Sequence, residues 1–382
     1  MSAVTEPQTA PRVDVRVMAL PLLIYALSRI VQLWLVAWML PAGVQDGVRG
    51  RLLSWDGGWF VRVAREGYPH GYTYDETGTL VGNGLAFFPG YPTLVRLVHY
   101  ATGLTCDTAA LTVSWLAGAV AAVLVFMLGA RLYDRRVGIA LTVLFCAQPM
   151  SLALSMAYSE ALFTAFVAGM LVAAHRQAWL VAGLLGLAAA LTRPTGAASA
   201  IALAVAAIMA VRRGDGPRWR PVLAAVVALA GVPAYLLWVG QRVGSPSAWF
   251  DIQTAGWGST FDFGLSTWRF LVDSFRAGEG WIQVSIAWLL LAVVALALIA
   301  IYQRVWLPLL TYGLIALVLV LGQGGYYHSK PRLLVPVLLI LVPAAAAIGR
   351  AKTHTAALVL LGYSAFGLWY GAYLVTVWHY AI

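Results

Sequence analysis

Charge is the scarcest property of this 382-residue chain, since only 10% of its residues are charged and 61% are hydrophobic. A soluble globular domain carries roughly 25% charged residues, so the composition excludes a water-soluble fold. A membrane-spanning helix needs about 20 mostly apolar residues, and runs of that kind recur from Met18 to Trp378. We therefore predict an all-α polytopic membrane protein that forms a single domain over residues 1–382.

Cysteine is almost absent as well, because Cys106 and Cys146 are the only two. They form no C-x-x-C pair or other metal-binding spacing, so two inert thiols are preferred over a disulfide. The chain also lacks Asp-x-Asp, His-Glu-x-x-His and a glycine-rich phosphate loop. We expect neither a metal nor another cofactor, and hence activity that persists in the presence of a chelator.

Acidic residues are few, and the formal charge is +10. The cations cluster in short loops between apolar runs, as cytoplasmic loops of membrane proteins do, so topology explains the charge and no nucleic-acid partner is expected. The polar N-terminal stretch leads into an apolar run with no clear cleavage site, which predicts a retained signal-anchor helix. The cations assigned to the cytoplasmic side are Arg12, Arg16, Arg131, Arg135, Arg136, His175, Arg176, Arg212, Arg213, Arg218, Arg220, Arg304, Arg350 and Lys352.

The apolar runs predict about eleven transmembrane helices. Threading them in order leaves two long segments, 41–108 and 242–280, outside the cytoplasm. The first has helical periodicity over 59–66 and 92–100, which indicates helices lying in the membrane interface. The second is rich in aromatic residues, which is typical of an aromatic belt and also of a lid or a contact surface for a lipid carrier. The eleven runs are 18–40, 109–130, 137–156, 158–174, 178–192, 196–211, 221–240, 281–301, 305–321, 333–348 and 356–378.

Two of these runs are short. At 1.5 Å per residue, 161–174 and 178–192 reach only about 21 to 23 Å, less than the ~30 Å hydrocarbon core. Glu160 and Arg193 at their outer ends are then submerged, where charge persists only beside protein or a water-filled cavity. We predict such a cavity, open to the outside.

An acidic residue follows the first predicted span, flanked by aromatic residues and glycines. Asp56 in this setting is a candidate base, because desolvation raises the proton affinity of a carboxylate. The alternative is a helix N-cap, since Asp favours that position and a helical pattern follows. Local chemistry alone favours the cap.

Five sequence blocks, which occur in order along most of the chain, resemble the PIG-V family. This family contains the second mannosyltransferase of glycosylphosphatidylinositol synthesis and has bacterial members. Five ordered blocks are far more specific than any one of them. They are residues 54–60 (SWDGGWF), 83–92 (NGLAFFPGYP), 157–163 (AYSEALF), 191–196 (LTRPTG) and 328–333 (HSKPRL).

This resemblance implies the GT-C architecture, which is a transmembrane helix bundle with interfacial helices in the first outer loop. It also implies a polyprenyl-phosphate sugar donor and an acidic residue of that loop at the reaction centre. Asp56 occupies the family's Trp-Asp position, so the role of catalytic base falls to it. An inverting displacement needs one such base and stabilisation of the departing phosphate.

Three cations are candidates to hold that phosphate, namely Arg193, Lys330 and Arg332, because guanidinium binds phosphate in bidentate fashion and Lys binds it as a point charge. For Lys330 and Arg332 the alternative is snorkelling at the interface. For Arg193 it is a buried ion pair with Glu160, and both of its roles are compatible.

The remaining substrate-binding candidates are His328, Glu160, Glu66 and Trp55. His328 suits a phosphate donor or proton shuttle, or is a solvated loop histidine. Glu160 and Glu66 could orient the acceptor or the cations, although Glu66 is also placed to balance Arg62 or Arg65 on its own helix. Trp55 flanks the candidate base.

The resulting hypothesis is mannosyl transfer from a polyprenyl-phosphate-mannose-like lipid to a lipid-linked or glycan acceptor of the cell envelope, with the site on the extracytoplasmic face of a bacterial plasma membrane. The alternatives are a transporter or flippase of a lipid-linked saccharide, and a structural membrane protein. The chain shows no convincing internal repeat, which transporters often have, and a scaffold does not require charges in three outer turns. Surrounding membrane lipids complete the expected partners.

Overall fold

The computed structural model describes residues 15–44, 46–278 and 280–378. Arg12 and most of the polar start of the predicted signal anchor lie outside these ranges. The elements, in chain order, are α1 (Val15–Met39), α2 (Gly47–Leu52), α3 (Asp56–Glu66), β1 (Thr73–Tyr74), β2 (Leu80–Val81), α4 (Gly90–Thr102), α5 (Cys106–Leu132), α6 (Arg135–Ala147), α7 (Glu160–His175), α8 (Trp179–Ala190), α9 (Gly196–Arg213), α10 (Trp219–Val243), α11 (Ala248–Trp257), α12 (Leu265–Ala277), α13 (Trp281–Tyr302), α14 (Leu307–Leu321), α15 (Lys330–Leu333), α16 (Val342–Arg350) and α17 (Thr353–Thr376).

The predicted all-α fold is confirmed, with one small addition. A two-stranded antiparallel hairpin, β1 paired with β2, interrupts the first long loop. Its turn is held by the Asp75 carboxylate, which accepts hydrogen bonds from the backbone N–H groups of Thr77 and Thr79 at 2.9 Å each. The predicted helices of that loop are present as α3 and α4, and the shorter α2 precedes them.

Fewer helices qualify as membrane spans by length and composition than the eleven predicted. Within the described ranges, six helices are long and apolar enough to cross a membrane, or seven if a pair bent by 77° counts as one span. The helices α7, α8 and α14 are apolar but shorter. With 16 and 12 residues, α7 and α8 extend only about 24 and 18 Å. The six are α1 from Met18, α5, α9, α10, α13 and α17.

Prolines explain where two predicted spans break. The run 137–156 is helical only to Ala147, because Pro149 lacks an N–H and disfavours helical geometry at Gln148, which is extended. A short 3₁₀ turn follows at Ser151–Leu154. The run 333–348 is likewise split near Pro336, between α15 and a second 3₁₀ turn that leads into α16.

Small residues let the short helices pack closely. A Cβ added to Gly183 on α8 would lie 2.9 Å from the Cα of Ala224 on α10, and one on Gly186 would lie 2.8 Å from the Cβ of Ala228. Such approaches are typical of helix pairs in membranes, where small residues bring backbones together. The tight α8–α10 contact fixes the position of the turn after α8, which carries Arg193.

Candidate active site

The five sequence blocks, far apart along the chain, meet around one cavity of about 390 Å³. That volume lies within the range of small-molecule sites, roughly 300–1,000 Å³. Seven of the eight candidate residues line it, namely Trp55, Asp56, Glu160, Arg193, His328, Lys330 and Arg332.

Backbone hydrogen bonds join segments that carry different blocks. The N–H of Ala157 donates to the carbonyl of Leu52 at 2.8 Å, and the N–H of Gly90 donates to the carbonyl of Leu191 at 2.7 Å. Gly90 is required at the second junction, since a Cβ there would collide with the side chain of Thr192. Segment 41–108 is therefore anchored directly to the turns that precede α7 and follow α8.

Alternating charges run across the cavity wall. Nη2 of Arg332 lies 2.7 Å from Oδ2 of Asp56, and its Nε lies 3.4 Å from Oε1 of Glu160. The same Glu160 oxygen lies 2.9 Å from Nη1 of Arg193. Two carboxylates thus balance two guanidinium groups, as buried charges require. The Glu160–Arg193 ion pair expected as one alternative is present, and it lies at the cavity.

Asp56 is the first residue of α3, and the N-cap position belongs to Trp55. The N-cap interpretation of Asp56 is therefore wrong. A carboxylate in the first turn is stabilised by the helix dipole. Trp55 itself has φ 55° and ψ −119°, a conformation that is strained for a residue with a side chain and that clusters at functional sites. The turn directs Asp56 to the cavity, where its side chain is 22% exposed.

Tyr158 was missed as a site residue by sequence reasoning, although it lies inside the third block. It is fully buried, and the guanidinium of Arg332 stacks 4.8 Å from its ring centre. Its hydroxyl donates to the carbonyl of Ser54 at 3.3 Å. One side chain therefore supports both members of the Asp56–Arg332 pair. Its place beside Glu160 in the block was the only available signal.

Lys330 and Arg332 are 4% and 7% exposed, so the snorkelling alternative is wrong for both. Nζ of Lys330 donates to the carbonyls of Val320 and Gln323 at 2.9 and 2.6 Å. It thereby caps the C-terminal end of α14, where carbonyl groups lack partners within the helix. An ammonium group has three donors, so one remains for a ligand.

His328 and Glu66 differ in placement. His328 is 7% exposed, which overturns the solvated-loop alternative, and its ring lies 5.3 Å from that of Tyr326. Glu66 is exposed and is not among the residues that line the cavity. Arg65 forms its ion pair with Asp107 at 3.2 Å instead, so the structure does not bring Glu66 to the site.

Segment 242–280 closes one side of the cavity. The N–H of Gly324 donates to the carbonyl of Thr260 at 2.7 Å, and that of Asp262 donates to the carbonyl of Gly322 at 3.0 Å. Hydrogen bonds from Ser266 lower the pKa of the Asp262 carboxyl. The segment is therefore docked on the turn that carries the fifth block.

Within the described ranges, no group of three or more His, Cys, Asp or Glu side chains is placed to hold a metal ion. The cavity lining offers a carboxylate at a helix start, two guanidinium groups that each pair with a carboxylate, and an ammonium group with a spare donor.

Residues 37–210 match the family model described as mannosyltransferase (PIG-V). No curated protein matches the chain in sequence.

Two solved structures share the fold. The Archaeoglobus fulgidus oligosaccharyltransferase, crystallised with Zn and sulfate, has a TM-score of 0.52 at 14% identity over 95% of this chain and 52% of its own. ArnT from Cupriavidus metallidurans, bound to undecaprenyl phosphate, has a TM-score of 0.52 at 18% identity over 89% of this chain and 62% of its own. This chain thus spans between half and two thirds of the length of either protein.

The likeness to these structures establishes a GT-C-like fold. The match over residues 37–210 contains four of the five sequence blocks and supports the resemblance that they carry. This multi-pass membrane protein therefore resembles the PIG-V mannosyltransferase family in sequence, on a fold similar to that of GT-C glycosyltransferases.

Proposed function

We propose that the chain is an inverting membrane glycosyltransferase, which transfers a mannosyl group from a polyprenyl-phosphate sugar to a lipid-linked or cell-envelope acceptor on the extracytoplasmic face. The observation that carries this proposal is the cavity in which Asp56 faces Arg332, with Arg193 and Lys330 on the same lining. A carboxylate and a cluster of cations are what an inverting transfer from a phosphate leaving group requires. The undecaprenyl phosphate bound by ArnT supports a carrier of this class.

The reaction is one displacement. An acceptor hydroxyl oxygen attacks the anomeric carbon, the bond from that carbon to the phosphate oxygen breaks, and the phosphate leaves with the bonding electrons. Asp56 takes the hydroxyl proton. The products are the mannosylated acceptor and polyprenyl phosphate, whose new charge is neutralised by the cations.

Arg332 is the group that links base and leaving group. While Arg332 pairs with Asp56, its guanidinium occupies a carboxylate oxygen that would otherwise be free to take the proton. An incoming phosphate offers this guanidinium a second anion, and Glu160 at 3.4 Å keeps it in place as it turns. Nη1 of Arg332 is buried and has no hydrogen-bond partner within the described chain, so a donor is already available for the phosphate. Binding of the donor therefore frees Asp56.

The transfer assay tests the proposal directly. Purified protein in lipid nanodiscs is given polyprenyl-phosphate-mannose with a radiolabelled sugar, together with a lipid and glycan extract of cell envelopes. We expect label to move from the donor to an acceptor, with equal rates with and without EDTA. Label that crosses a sealed bilayer while still attached to its carrier, with none transferred, contradicts the proposal and supports a flippase. Loss of transfer in EDTA that a divalent ion restores contradicts only the expectation that the reaction needs no metal, and it leaves the proposed transfer standing.

A further inference from the structure

Three aromatic rings from different segments meet at the wall of the cavity. The ring centres of Trp59 and Phe87 are 6.1 Å apart, those of Trp59 and Trp257 are 5.9 Å apart, and those of Phe87 and Trp257 are 5.3 Å apart. All three residues line the cavity, and each is only partly buried. Part of this aromatic surface therefore remains open to whatever the cavity holds.

The position of the cluster relative to the candidate base follows from α3. Trp59 is three residues after Asp56, and residues three apart lie on the same side of a helix. The aromatic surface consequently begins one turn from the carboxylate. An occupant that reacts beside Asp56 comes into contact with these rings.

A close contact between two glycines brings the third ring into the cluster. A Cβ added to Gly82 would lie 2.6 Å from the Cα of Gly256 and 2.8 Å from the ring of Trp257. Because Gly82 and Gly256 lack side chains, α11 can approach the end of β2 this closely. This glycine contact therefore brings Trp257 of segment 242–280 against segment 41–108.

A polar group accompanies the rings. Gln253 lies one helical turn before Trp257 and lines the cavity. Its Nε2 donates to the carbonyl of Ala86 at 3.0 Å, which fixes the amide and leaves its oxygen as an acceptor for a ligand hydroxyl. An apolar surface with a few fixed polar groups is typical of a site that orients a small molecule.

We propose that Trp59, Phe87 and Trp257 form the platform that holds the pyranose ring of the donor, an assignment that rests on the proposed function. One face of a pyranose is made of C–H groups, and these pack against the negative face of an aromatic ring. The hydroxyl edge of the sugar needs acceptors such as Gln253. The platform has a consequence for turnover, because it adds affinity for the sugar-bearing carrier that the spent carrier cannot gain.

Replacement of Trp257 by leucine tests the platform. We expect the KM for polyprenyl-phosphate-mannose to rise about fivefold to tenfold, while the inhibition constant of sugar-free polyprenyl phosphate stays unchanged. Trp257→Phe should have a KM for this donor close to that of the wild type. Trp268→Leu is the matched control, because Trp268 is 65% exposed on α12 and does not line the cavity.

Two outcomes of these kinetics overturn the platform. If the KM and the inhibition constant rise together, Trp257 contacts the carrier and not the sugar. If neither changes, Trp257 is only part of the wall. Thermal unfolding of each variant is measured alongside, and if Trp257→Leu does not fold, Trp257→Phe carries the same comparison with a smaller rise in KM.

Saturation-transfer NMR with octyl mannoside separates the platform from the proposed reaction. We expect saturation to reach the sugar protons in the wild-type protein and to weaken in Trp257→Leu, but not in Trp268→Leu. Absence of the signal in the wild type contradicts the platform. A normal signal in a wild-type protein that transfers no mannose contradicts the proposed donor chemistry and leaves the platform supported.

Discussion

Asp56→Asn is expected to lower kcat by about 10²- to 10⁴-fold, the usual contribution of a general base, while the protein remains folded. The amide keeps the shape of the carboxylate but cannot accept the proton of the acceptor hydroxyl. Folding is preserved because Asp56 is 22% exposed to the cavity, and Arg332 retains Glu160 as a partner. The measurement is the initial rate of mannose transfer, with thermal unfolding in parallel.

Asp107→Asn provides the matched control for this experiment. Asp107 also forms an ion pair with an arginine, Arg65, at 3.2 Å, but that pair lies on the exposed surface and away from the cavity lining. We expect its transfer rate to match that of the wild type. A fully active Asp56→Asn protein would remove the proposed base, whatever the control shows.

Glu160→Gln is expected to lower the free energy of unfolding by about 3 to 5 kcal/mol, the cost of leaving a buried charge without its partner. Glu160 is 1% exposed and lies between the guanidinium groups of Arg193 and Arg332. Loss of its charge leaves the cavity wall with one carboxylate for two guanidinium groups. Arg332 then binds Asp56 more tightly, so kcat should fall as well.

Denaturant unfolding in detergent micelles measures the first effect and the transfer assay measures the second. The double variant Glu160→Leu with Arg193→Met removes both members of one ion pair, and it should recover part of the stability but not the activity, because a buried pair replaced by apolar groups is often neutral. An unfolding free energy of Glu160→Gln equal to that of the wild type would show that these charges are solvated and would contradict the buried ion-pair network.

Much of the site could be predicted from sequence because its chemistry is local. The residue spacing predicts the helices α3 and α4, and the short runs that end at Glu160 and Arg193 predict a cavity at these two side chains, which both line it. The ordered blocks indicated which turns belong together. Each of these inferences depends on residues that are neighbours in the chain or on run length alone.

Contacts between residues far apart in the chain could not be predicted from the sequence. The cap that Lys330 provides for α14 depends on a turn that brings it back to Val320 and Gln323. The stacking of Arg332 on Tyr158 joins segments more than 170 residues apart. Hydrophobicity alone also predicts unbroken helices over 137–156 and 333–348, because apolar residues around Pro149 and Pro336 remain buried after the helix has ended.

An experimental structure with polyprenyl phosphate bound is the most direct test of the account. The account predicts the phosphate inside the cavity, within hydrogen-bonding distance of Arg332 and of at least one of Arg193 and Lys330, with Asp56 released from its ion pair. A phosphate bound outside this cavity, with the Asp56–Arg332 pair intact, would contradict it.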